Sequence, residues 1–77
     1  MKLNKNTRDI LQAGDILETP KTYNNPIKLK VLRVFKEYKK ILITVECVTG
    51  PSWMIGRRVY ALGISNYYGY EIIRSEV

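Results

Sequence analysis

The sequence predicts a small all-β domain: about five short antiparallel strands, a short N-terminal helical turn, and a tight helical turn before the last strand. Three observations carry that reading. Short runs of apolar and β-branched residues alternate with turn-forming residues along the whole chain. The run from Ile41 to Val48 is dominated by β-branched residues, which suit a pleated, half-buried surface. The length of 77 residues leaves room for one domain, residues 1–77, with 1–13 as a lead-in. Short strands with turn signals between them are the pattern of a small barrel or sandwich.

The lead-in has its helical turn between Asn6 and Gly14, capped by Asn6 or Thr7, with Ile10 and Leu11 as apolar contacts and Gly14 as its end. Asp15 to Thr19 is the first strand. Pro20 to Pro26 is a loop in which Asn24-Asn25-Pro26 is the clearest turn signal. Ile27 to Phe35 is a strand with a fault in its parity. Ile27, Leu29 and Val31 alternate with Lys28 and Lys30, and then Leu32 and Val34 become the apolar positions around Arg33. A bulge or sharp bend near Val31–Leu32 accounts for the switch of faces, because without it Arg33 would enter the core. Bends of this kind curl a short sheet toward a barrel.

Lys36 to Lys40 is a charged turn, and Ile41 to Val48 is the central strand. Thr49-Gly50-Pro51-Ser52 forces another turn, and Trp53 to Gly56 continues as an apolar connector. Arg57 to Leu62 forms a strand, Gly63 to Gly69 a loop with one tight turn, and Tyr70 to Arg74 the last strand.

Two segments are similar to the SH3-like barrel. Leu11-Gln12-Ala13-Gly14-Asp15-Ile16-Leu17 resembles its diverging turn, and Ile64-Ser65-Asn66-Tyr67-Tyr68 resembles the Ser-Asn-Tyr turn before its last strand. The resemblance implies a barrel. It does not imply binding of proline-rich peptides, since the tandem Trp and the opening Ala-Leu-Tyr-x-Tyr run of that family are missing. A fold-level likeness says little about function.

Hydrophobic residues make up 45% of the chain, too many for a disordered segment. Cys47 is the only cysteine and shares parity with Ile41, Ile43 and Val45, so a buried, inert thiol is expected. The basic N-terminus is followed by no apolar run of the kind a secretory signal needs, and no stretch is long enough to cross a bilayer. A cytoplasmic location, with no membrane partner, is the expectation. The formal net charge is +6, which favours anionic partners or simply keeps the protein soluble.

Catalysis is not expected. The sequence holds no histidine, which removes the usual general base and metal ligand. Its acids, Asp9, Asp15, Glu18, Glu37, Glu46, Glu71 and Glu76, are scattered, and Asp15 and Glu18 point to opposite faces of a strand. Gly50 to Arg57 is not a phosphate loop, because the glycine spacing is wrong and Pro51 lacks an N–H. No cofactor and no metal site are expected.

Two surfaces are candidates for binding. Lys28, Lys30, Arg33, Lys36, Lys39 and Lys40 would form a positive ridge suited to phosphates, extended by Arg57 and Arg58. The same lysines also serve a plain structural purpose, since charge on a strand edge blocks unwanted pairing. Trp53, Met54, Tyr67 and Tyr68 supply the aromatic and apolar patch, and bases stack on such residues when basic groups lie beside them. Trp53, Met54 and Ile55 otherwise plug the open end of a barrel, the reading preferred here, and Tyr70 is the expected core tyrosine. Leu42 and Val48, on the outer face of the central strand, hint at a homo-oligomer contact. The expected function is a non-catalytic binding module for an anionic partner, with nucleic acid first. Alternatives are a protein-interaction or inhibitor module, such as a virus or mobile element encodes, and a nucleotide-ligand binder at an oligomer interface.

Overall fold

The computed structural model describes residues 1–20 and 26–74. A 3-10 turn at Arg8–Ile10 is followed by β1 (Ile16–Glu18), β2 (Lys28–Glu37) and β3 (Lys40–Thr49). Then come β4 (Arg58–Gly63), a second 3-10 turn at Ile64–Tyr67, and β5 (Glu71–Ile73). Every pairing is antiparallel, and the five strands form one sheet in the order β4-β3-β2-β1-β5. The fold class is as expected, all-β with both tight turns in place. Among the described residues the sheet stays open between β4 and β5. The turn signal at Asn24-Asn25 lies outside the described residues.

The parity fault in β2 is a bulge. Val31 pairs with Val45 and Arg33 with Thr44, so Leu32 is one residue extra. Leu29 and Val31 face inward before it, and Val34 packs against the core after it. Arg33 is exposed, with its guanidinium 4.7 Å from the centre of the Phe35 ring. A second irregularity sits opposite. Ile43 pairs with Leu62 and Val45 with Val59, so Tyr60 and Ala61 both face Thr44. Ala61 takes φ 50°, a left-handed conformation that L-residues adopt at a cost. Its N–H donates to the Thr44 hydroxyl at 3.1 Å, replacing the ladder bond that the bulge removes.

Inward residues of β3 form the centre of the core. Ile43 and Val45 are fully buried, and Cys47 is 3% exposed, in the state expected of it. Leu17 on β1 lies between Leu29 on β2 and Ile72 on β5 in the register, all three buried. Each fully buried aliphatic side chain contributes about 1.5–3 kcal/mol.

The lead-in differs from its sequence-based reading. No side-chain bond caps the 3-10 turn from Thr7. Instead the Asn4 carboxamide oxygen accepts from the N–H groups of Asn6 and Thr7, at 2.8 and 3.1 Å. Leu11 is buried while Ile10 is 39% exposed. The first residues act as a covering segment. Lys2 bridges Glu71, the Ile72 N–H donates to the Met1 carbonyl, and Leu3 is fully buried. The β5 edge is thereby protected. Asp15 ties the other side. Its buried carboxylate accepts from the Gln12 N–H at 2.9 Å and from Arg74 at 3.4 Å, and Arg74 also donates to the Ile10 carbonyl at 2.7 Å.

Two substitutions test the paired bulges. Thr44→Val keeps the shape but removes the acceptor, and should destabilise the fold by about 1–2 kcal/mol. Ala61→Gly relieves the left-handed backbone and should stabilise it by about 0.5–1 kcal/mol. Urea unfolding followed by circular dichroism reads both.

Candidate functional site

The connector between β3 and β4 is a compact, hydrogen-bonded turn. The N–H groups of Met54 and Ile55 donate to the Pro51 carbonyl, at 2.9 and 3.3 Å, and the Arg57 N–H to the Met54 carbonyl at 2.9 Å. Two bonds lock it to β3: Gly56 N–H to Cys47 O at 2.8 Å, and Cys47 N–H to Arg57 O at 2.9 Å. Gly56 sits at φ +86°, where glycine alone is unstrained. This winding turns Met54 inward against the core and leaves Trp53 67% and Ile55 52% exposed. Trp53 and Ile55 therefore do not plug the sheet; Met54 alone does so.

A groove of about 360 Å³ opens beside this turn. Leu29, Val45 and Cys47 make an apolar floor. Trp53, Tyr67 and Tyr70 provide aromatic walls, and Arg57 and Arg58 line the same recess. The volume falls in the range of small-molecule sites. The Tyr67 and Tyr70 rings meet edge to face, with centroids 5.6 Å apart at 88°, which holds that wall in place.

The two arginines are oriented before any ligand arrives. Arg57 Nε donates to the Trp53 main-chain carbonyl at 2.8 Å, which folds the Arg57 side chain back onto the turn. Among the described residues no carboxylate lies within ion-pair distance of Arg57. Arg58 Nε donates to Glu46 at 2.9 Å, and that bond, with a further one to Tyr60, raises its pKa. Arg58 thus has its charge partly answered, and Arg57 presents its charge to solvent.

The expected ridge is divided along β2. Lys28 is half-buried and pairs with Glu18 at 3.6 Å, while Lys30 is exposed. Lys36, Lys39 and Lys40 are exposed around the tip of the β2–β3 hairpin, where Tyr38 is fully exposed at φ 54°. Lys28 and Lys36 are eight positions apart on β2, about 26 Å at the rise of a strand. Arg57 and Arg58 belong with Lys28, because Lys28 pairs with Thr49 at the start of the connector.

The aromatic patch is rearranged as well. Tyr67 is buried rather than displayed, and Tyr68 is half-buried against the core, away from the groove lining. Tyr70, read from sequence as core, is half-buried and packs against the core, and it also lines the groove. The groove-lining part was missed because strand parity does not specify where the preceding 3-10 turn places the Tyr67 ring that Tyr70 meets. Among the described residues no cluster of three metal-ligating side chains occurs. No helix among them is long and apolar enough to cross a membrane.

Burial, and then the neighbouring Tyr70, raise the Tyr67 phenol above its ordinary value of 10.0. The folded state therefore favours the neutral phenol. Its stabilising effect is complete below the unfolded value and is lost as pH rises through the raised folded value. Stability should fall on going above about pH 10, and Tyr67→Phe should flatten that fall; urea midpoints from pH 8 to 11 check it.

Comparison with protein-family models, with curated proteins and with solved structures finds no match.

Proposed function

We propose that this chain is a non-catalytic binding module whose partner is nucleic acid. The observation that carries the reading is the groove, in which an exposed indole and two guanidinium groups border an apolar floor. Aromatic faces accept bases of any sequence, and Arg neutralises the adjoining phosphates. The hairpin lysines add attraction that is independent of sequence, in keeping with the net charge of +6. We also propose an SH3-like architecture, supported by the strand order and by the 3-10 turn between β4 and β5.

A protein partner is the second reading, favoured by the edge strand β4. Val59, Tyr60 and Leu62 are 45%, 68% and 38% exposed there, on an edge that no described strand covers. Such an edge can take up an extended peptide.

Salt dependence separates the two. Neutralising about four phosphates gives a slope of log K against log salt near −3 for a single strand. Lys36→Ala, Lys39→Ala and Lys40→Ala together should reduce the slope by about 2. Fluorescence anisotropy of a labelled oligonucleotide measures this, and absence of binding at low salt would sink the nucleic-acid reading.

A further inference from the structure

We infer that the groove beside Trp53 holds one unstacked base of a single-stranded nucleic acid, with Arg57 on an adjoining phosphate. This rests on the nucleic-acid reading and narrows it to single strands.

The geometry of the walls is the first reason. A groove lined by aromatic residues over an apolar floor suits the flat face of a base. In a duplex those faces are covered by stacking, and only edges and phosphates are presented. The lysines of the hairpin act on phosphates of either form, whereas the groove can act only on a base turned out of a stack. Selectivity for single strands therefore resides in residues 53–70 and not in the ridge.

Preorganisation is the second reason. The connector holds the backbone around Trp53 in place through bonds at Pro51, Cys47 and Met54, while two-thirds of the Trp53 surface stays in water. An exposed indole on a bonded turn leaves only side-chain freedom to be lost when a base stacks on it. The Arg57 Nε bond to the Trp53 main-chain carbonyl ties the guanidinium to the same turn that displays the indole. Its terminal amino groups then face a phosphate in the forked geometry that Arg provides.

Trp53 is the sole tryptophan, so its fluorescence reports this site alone. The test titrates the wild-type chain with a twelve-nucleotide mixed-sequence single strand, the matching duplex and a mononucleotide. It reads Trp53 emission together with anisotropy of the labelled strands. The single strand should quench Trp53 and bind at least about fivefold more tightly than the duplex, the lower limit for stacking one base. Trp53→Ala should remove that preference through loss of single-strand affinity, Trp53→Phe should restore part of it, and Arg57→Gln should weaken the single strand more than the duplex. Binding of both strands with equal affinity and no change in Trp53 emission would overturn the inference while leaving the nucleic-acid reading intact. An affinity for the mononucleotide equal to that for the single strand would also overturn it, because a free ligand would then suffice. Failure of either strand to bind at low salt would remove the nucleic-acid reading and this inference together.

Discussion

The fold depends on Thr44, the residue of the central strand at which both neighbouring strands carry an extra residue. On one side Leu32 is inserted into β2, and on the other Tyr60 and Ala61 share a single partner. A bulge on one strand bends a pair locally; bulges on both flanks at one level bend the whole sheet there. Thr44 can occupy this point because its hydroxyl accepts the Ala61 N–H that the distorted ladder leaves over. Although it sits between the inward residues Ile43 and Val45, it is itself only 4% exposed. A buried hydroxyl is tolerable when it is bonded and costly when it is not. The backbone strain at Ala61, the burial of Thr44 and the curvature of the sheet are one interaction seen from three sides.

Curvature without closure leaves the functional candidate exposed. Val59 and Leu62 pair with the fully buried Val45 and Ile43, yet remain 45% and 38% exposed, because among the described residues no strand covers them. At the opposite edge the N-terminal segment covers β5 and buries Leu3 completely. The chain thus seals one edge and leaves the other beside an aromatic groove.

Much of this was legible in the sequence where a local rule and the core agree. The change of parity around Leu32 announced a bulge, because the alternative buries Arg33 without a partner. Cys47 followed from its parity with Ile43 and Val45. Other features depended on long-range contacts that no local pattern encodes. Leu3 stands alone among polar residues and gains its burial only by pairing near Tyr70 and Glu71 at the far end of the chain. The burial of Tyr67 arises from the 3-10 turn, whose side-chain directions follow neither strand nor α-helical spacing. Trp53 read as a plug because large apolar residues are usually buried, and it is displayed because the connector closes on Met54 instead.

The division of charge bears on what kind of anion this surface suits. Arg57 is bonded to Cys47, seven positions along β3 from Lys40 in the hairpin, about 23 Å along the strand. The screening length in physiological salt is about 8 Å, so the two groups barely feel one another through solvent. Lysines at the hairpin tip therefore cannot strengthen the hold of the groove on a small anion bound there. They can do so on a polymer, because a chain already held at one end reaches the other at high effective concentration. Stacking fixes position over a few ångströms, and phosphate attraction adds affinity along a length. An extended polyanion with accessible bases uses both ends of this sheet, whereas a mononucleotide uses one.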